Sequence, residues 1–305
     1  MSQASRVTAA AIAALPAKLD RSPAAPGRPA RDGRWSFASV GIHAFLVFYG
    51  LLTLVPFTWA LITSLKTTRE IAESSSLLPA ALNLDAYRQI LQSDFTLWFY
   101  NSMFVAGTVT ITGVIANTMA GYALARLRFA GRKAVFSALL LVIMVPGQVT
   151  MIPAYLVVAR LGLADTHFAL ILTSFISIGS VFLMRQFFIN FPREVEEAAK
   201  LDGCSPLGTF VRVVLPMALP ALATQAIFIF MGVWNEFMKP LLYISSVDNY
   251  MLTQGLNAAA KQYEKAAAWN IIMAGSIVSI VPILLIYVVL NKYFININDQ
   301  TSGSK

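Results

Sequence analysis

Six blocks of about 20 apolar residues dominate this chain, and they restrict it to folds that satisfy the backbone without water. That length carries a helix across a hydrocarbon core of about 30 Å, and a helix pairs its own amides. The blocks run from about Val40 to Leu65, Trp98 to Ala125, Ala134 to Val158, Phe168 to Met184, Met217 to Tyr243 and Asn270 to Leu290, and Pro146 and Pro153 interrupt the third. The expected fold class is therefore all-α, a polytopic membrane protein with six transmembrane helices. Only 12% of the 305 residues are charged, against about 25% in soluble domains. Short connections leave no independent units, so one membrane domain is expected over 37–295.

Charge sets the expected orientation. The net charge of +8 reports Lys and Arg gathered on the cytoplasmic side of a membrane protein, and no nucleic-acid partner is expected. Arg126, Arg128, Arg132 and Lys133 lie together without an acid, whereas Lys66 to Leu97 sets three basic residues against Glu70, Glu73, Asp85 and Asp94. The first is an inner loop and the second an outer one, which places both termini in the cytoplasm. Residues 1–36 carry six basic residues among Ala and Pro and lack the apolar stretch of a cleavable signal. They read as a disordered basic cytoplasmic tail, and 296–305 as a second, short one. Between Ile244 and Trp269 a helical turn or two near the outer surface is expected. One cysteine, Cys204, excludes an intrachain disulfide, and His43 and His167 are too distant in sequence to argue for a metal.

Small residues recur on the second span, among them Gly107, Gly113, Ala116, Ala120 and Ala123–Ala125. In lipid, helices approach closely through such positions.

The charged stretch between the fourth and fifth blocks is different in kind. Pro192 suits the first turn of a helix, and Glu194, Glu196 and Glu197 follow where the dipole favours negative charge. Gly203 stands where a helix stops in a left-handed conformation. Ser205-Pro206 restarts a second helix as cap and first residue, and Pro216 redirects the chain into the fifth span. The spacing predicts a helix–turn–helix over 190–216 at the membrane surface, with Ala198 and Ala199 forming a smooth face. Spacing leaves two readings open, a docking element for another protein and an ordinary amphipathic hairpin.

The run Glu197-Ala198-Ala199-Lys200-Leu201-Asp202-Gly203, with Leu215-Pro216 beyond it, resembles the coupling motif of permease subunits of binding-protein-dependent ABC importers. Thr63-Ser64-Leu65-Lys66, Asn101-Ser102, Tyr122 to Phe129, and Trp234-Asn235-Glu236-Phe237 with Pro240-Leu241 are similar to the carbohydrate branch, and within it to the smaller permease of the maltose-transporter type. Two features depart from the family. Cys204 stands where alanine is usual, and Tyr293 to Asn298 replaces a glycine-rich tail, which puts any contact of that tail with the ATPase in doubt.

The resemblance implies a type I ABC importer permease fold in a prokaryotic inner membrane and a non-catalytic role as half of a translocation pathway for a sugar. Its implied partners are a second permease subunit, two ATP-binding subunits or an ATPase dimer, an extracytoplasmic solute-binding protein and membrane lipid. Coupling would run through 194–216, with Glu196, Glu197, Ala198, Ala199, Asp202 and Gly203 at the ATPase contact. No cofactor is expected in this chain. It lacks a Gly-Lys-Ser/Thr phosphate loop, so ATP and Mg would belong to the partner.

A non-sugar solute such as glycerol phosphate, or an ion-coupled secondary transporter, is the alternative. Ion coupling uses ionisable residues inside the membrane, and the second, third, fourth and sixth spans have none between their ends. No nucleophile–base or metal constellation marks an intramembrane enzyme. An anionic substrate would want a fixed cation on its path, and the spacing shows none. Asn117, Gln148, Trp234 and Asn235 are candidates for a neutral sugar by residue type, each with packing as the competing role. Glu236 and Lys239 share a helical face. They are expected either to satisfy each other or, with Trp234 and Asn235, to shape an outer gate.

Overall fold

Proline alone does not decide where the apolar blocks bend: the chain breaks at Pro146, but Pro153, expected to interrupt the third span as well, lies inside a continuous helix, as do Pro56 and Pro282. The computed structural model describes residues 37–73, 76–265 and 268–302, with side chains at 39–73, 76–262 and 268–292. The basic tail at 1–36 lies outside the described residues. Contacts divide the chain into Met1–Leu54 and Val55–Lys305.

The first unit contributes the opening part of α1 (Phe37–Ser64). Every side chain from Val40 to Leu54 is exposed, as suits a helix apolar on all sides and surrounded by lipid. His43 Nδ1 lies 2.6 Å from Ser39 O, a bond back to the preceding turn.

The second unit holds the remaining elements: α2 (Thr68–Glu73), α3 (Asp85–Gln92), α4 (Phe95–Arg126), α5 (Arg132–Ile143), α6 (Gly147–Arg160), α7 (His167–Leu172), α8 (Ile178–Asn190) and α9 (Arg193–Leu201). α10 (Pro206–Thr209) leads through a π-helical turn at Phe210–Val214 into α11 (Leu215–Met217) and α12 (Leu219–Trp234). α13 (Met238–Tyr243), α14 (Leu252–Lys265) and α15 (Trp269–Ser302) complete it. No strand occurs among the described residues.

Among the described residues three helices, α1, α4 and α15, are continuous, long and apolar enough to cross a membrane. The third expected span bends by 105° between α5 and α6, at the Pro146 break, and a bend of 76° between Pro206–Met217 and Leu219–Trp234 falls where Pro216 was expected to turn the hairpin into the fifth span. The fourth, expected as one helix from Phe168 to Met184, is two: α7 ends at Leu172 and α8 starts at Ile178. The fifth does not run on to Tyr243 but stops at Trp234, and the sixth is longer than expected.

α4 is the centre of this unit, with α8 and α12 packed along it. The small residues explain how closely. A Cβ at Gly121 would lie 2.6 Å from Met184 Cβ and 2.9 Å from Arg185 N, and one at Gly113 would lie 2.9 Å from Phe175 O. Gly107 faces open space and has no such role. Gly121→Val is expected to disrupt the α4–α8 contact, since neither neighbour is a flexible side-chain end and overpacking costs about 1–3 kcal/mol or more. A thermal melt of the purified protein should fall by several degrees for Gly121→Val and stay put for Gly107→Val.

The connection after Ile244 is more than the surface turn the sequence predicts. α14 packs against α4 and α15 because Trp98 lies flat over Gly255, where a Cβ would meet the ring at 2.1 Å. Trp98 Nε1 donates to Val247 O at 3.2 Å, and Asn101 Nδ2 donates to Asp248 O at 2.8 Å and Tyr250 O at 3.1 Å. The Leu252 amide donates to Ser102 Oγ at 2.7 Å. The Asn101-Ser102 pair therefore ties down this loop.

Candidate functional sites

Two sites stand out, a charged hairpin on the end of α4 and α8 and a cavity at the break in the fourth span.

The hairpin is built by local chemistry. Pro192 is the N-cap of α9, one position earlier than expected. The Cys204 amide donates to Ala199 O at 3.0 Å and the Gly203 amide to Lys200 O at 3.0 Å, the paired bonds of a Schellman cap. Gly203 carries φ +83°, a left-handed conformation that glycine adopts at no steric cost. Ser205 Oγ accepts from the Gly208 amide at 3.1 Å and Pro206 is the first helical residue.

Of the expected coupling residues, Glu196 and Ala199 are buried, while Glu197, Ala198, Asp202 and Gly203 are exposed. Glu196 Oε1 lies 3.0 Å from Arg126 Nε, and the two side chains are only 10% and 7% exposed. Their contact is ionic rather than a linear hydrogen bond. Arg126 also donates through Nη2 to Phe191 O, the residue that ends α8. One guanidinium thus joins the end of α4, the end of α8 and the start of α9. Beside it Tyr122 packs on Phe188 at 5.3 Å and Phe210 at 4.6 Å between ring centroids, so the π-helical turn is held by the same two helices.

The sequence reading took Arg126 as an orientation charge and part of a family-like stretch, and gave Leu201 no role at the contact. That side chain is 90% exposed and Leu207, in the next turn of the hairpin, 70%. Apolar residues standing out beside Glu197 and Asp202 form a surface with a greasy centre and a charged rim.

The cavity measures about 500 Å³. Its wall includes Ser174, Ser177 and Ser180 from the broken fourth span, Phe228 and Gly232 from α12, and Glu236 and Lys239 from the turn into α13. The helix stops within an apolar block: the Thr173 and Phe175 amides still bond back to Ala169 O and Ile171 O, but the Phe175 carbonyl and the Ser177 amide need other partners, as buried backbone groups do in lipid. Asn117 on α4, completely buried, supplies those two. Its Nδ2 donates to Phe175 O at 3.2 Å and its Oδ1 accepts from the Ser177 amide at 3.0 Å.

Glu236 and Lys239 do not pair. Glu236 Oε1 accepts from the Phe237, Met238 and Lys239 amides at 3.1, 3.0 and 3.4 Å, which caps α13. Lys239 Nζ turns instead to Ser174 Oγ at 3.1 Å and Thr173 O at 3.4 Å. The cause is the stop at Trp234: the chain turns before α13, so spacing along a single helix no longer applies. The same turn brings Lys239 to the wall of the cavity, a position that spacing along one helix did not give it.

The remaining expected path residues lie elsewhere. Trp234 is core, donating to Ser279 O at 3.1 Å and stacked on Phe230 at 5.5 Å. Asn235 is exposed and donates back to Met231 O at 2.9 Å. Gln148 is exposed on α6. Of the five, Glu236 alone lines the cavity.

Near it, the loop at Asp165 is locked to 243–249. Asp165, at φ 61°, accepts from the Ser245 and Ser246 amides at 2.9 Å each and from Ser246 Oγ. The Ser246 side-chain bond leads in holding its carboxyl down at about 2. A depressed carboxylate contributes stability above its ordinary range near 3.9, lost as pH falls through about 2. His167 Nε2 lies 2.9 Å from Asn249 O, and no group of three or more metal-ligating side chains occurs among the described residues.

Comparison with known proteins adds a sequence family and a fold. The family described as "Binding-protein-dependent transport system inner membrane component" matches residues 113–296, a stretch that contains both sites. The chain is 32% identical over 268 residues to the diacetylchitobiose uptake system permease protein NgcG of Streptomyces coelicolor, covering 87% of this chain and 88% of the relative. It is 31% identical over 271 residues to the polygalacturonan/rhamnogalacturonan transport system permease protein YtcP of Bacillus subtilis, covering 83% and 93%. In fold it matches the crystal structure of a bacterial ABC transporter involved in the import of the acidic polysaccharide alginate, with a TM-score of 0.76, 23% identity, and coverage of 84% and 96%.

Proposed function

This chain belongs to the family of binding-protein-dependent transport system inner membrane components, and from that membership we propose that it forms half of the translocation pathway of an ATP-driven saccharide importer. The observation that carries the reading is the family match over 113–296, supported by relatives named for oligosaccharide and polysaccharide transport. It is a multi-pass membrane protein, and the proposal sets its amino terminus and the hairpin in the cytoplasm, as the Arg126 to Lys133 cluster requires. The chain itself performs no catalysis. ATP and Mg are held by a partner ATPase dimer, a second permease completes the pathway, and a solute-binding protein delivers the saccharide from outside.

In this reading the ATPase docks on Glu197, Ala198, Leu201, Asp202 and Gly203. Its closing moves α9, and the buried Arg126–Glu196 contact passes the motion to α4 and α8 together. Since α8 begins at the break that lines the cavity, a tilt of α8 changes the cavity's shape. Coupling needs such a contiguous element with two arrangements.

The test is uptake of labelled oligosaccharides into proteoliposomes holding the full complex, with binding protein outside. Accumulation that requires ATP on the ATPase side and the binding protein on the other is the expected result. Accumulation driven by a proton or sodium gradient without ATP would return the chain to the secondary-transporter class.

A further inference from the structure

We infer that the cavity beside the broken fourth span receives an anionic saccharide, with Lys239 as the cation that meets its carboxylate. The inference rests on the importer reading above and narrows its substrate class.

Charge is the first argument. Among the cavity's lining side chains only Glu236 and Lys239 ionise. The Glu236 carboxylate is occupied by three backbone amides of its own turn and forms no ion pair with Lys239. A neutral sugar needs no cation on a wall whose other side chains, apart from the amide-bound Glu236 carboxylate, are hydroxyl-bearing, small or apolar. Lys239 is half-buried, and desolvating an ammonium is costly unless it is paired or meets a ligand. Among the described residues Lys239 forms no ion pair: Glu236 acts on it only through space, and its hydrogen bonds go to the two neutral oxygens of Thr173 and Ser174. An ammonium has three donors, and two are accounted for.

Geometry is the second. Lys239 bonds the backbone released by the break between α7 and α8, and Ser174 and Ser177 line the cavity on the same stretch. Broken helices that expose backbone and hydroxyls to a cavity are a recurrent way of building substrate sites in membranes. The volume of about 500 Å³ falls within the ~300–1,000 Å³ of small-molecule sites. Hydroxyls bond sugar hydroxyls, Phe228 offers an apolar face, and the ammonium bonds a carboxylate. Together they match a uronic acid unit, a sugar ring bearing one negative charge.

The test uses the complete reconstituted complex and two matched probes, trigalacturonate and the neutral trisaccharide made by reducing its carboxylates. The wild-type complex is expected to take up the uronate roughly tenfold faster than its neutral counterpart, the discrimination of one charge-assisted hydrogen bond. Lys239→Gln keeps a donor for Thr173 O but removes the charge, and should bring the ratio near one by slowing the uronate. Lys239→Arg should restore most of the preference. A ratio near one in the wild type, no uptake of the uronate, or an equal loss of both substrates in Lys239→Gln overturns the inference. Uronate uptake that persists without ATP refutes the importer reading instead and leaves the charge assignment standing.

Discussion

Replacing Arg126 by alanine is expected to abolish substrate-stimulated ATP hydrolysis in the assembled importer. The substitution strands the Glu196 carboxylate, 10% exposed, without its counter-charge, and breaking a buried pair from one side costs about 3–5 kcal/mol. It also removes the donor to Phe191 O, so α4, α8 and α9 lose their shared anchor at once. Glu196→Ala should be as damaging, because the guanidinium is then the stranded charge. A double variant, Arg126→Met with Glu196→Leu, separates folding from coupling. Apolar replacement of both partners is often neutral for stability, so its melting temperature should recover towards the wild type. Stimulated ATPase activity should not recover, since the rigid link is gone. Full activity in the double variant would mean that the pair serves only the fold.

The second large effect is expected at the exposed face of the hairpin. Leu201→Glu puts a charge at a side chain that is 90% exposed and contributes nothing to the chain's own core. Glu197→Lys reverses a charge on the same exposed surface. Both variants should fold and insert normally, with melts within a degree or two of the wild type, because surface changes away from special features usually stay within about 0.5 kcal/mol. Each should nonetheless release the ATPase dimer on purification and lose stimulation, as truncating the centre of an interface costs about 2 kcal/mol or more. Retention of the ATPase and normal stimulation in both would remove the hairpin from the docking surface.

What the sequence determined by itself is whatever is set within a few residues. Apolar blocks long enough to span lipid, the positive cluster after Arg126, and the caps at Gly203 and Ser205-Pro206 follow from local solvation and backbone sterics, and the structure forms these caps at those residues. Proline interruption at Pro146 was legible for the same reason. Tertiary structure decided the rest. The break at 173–177 carries no proline, and its freed backbone is met by side chains from distant elements, Asn117 at Phe175 O and the Ser177 amide and Lys239 at Thr173 O. Trp234 reads equally well as an interfacial tryptophan or as core until Ser279 and Phe230 are brought against it. Arg126 reads as a solvated loop charge until Glu196 arrives from beyond two further spans. The Glu236–Lys239 spacing implied a pair, but helical periodicity holds only while the helix continues, and the stop after Trp234 sent the ammonium into the cavity. Apolarity tells a chain that it must enter the membrane; which polar groups then meet there depends on partners remote in sequence, each of which must be satisfied in a medium that offers no water.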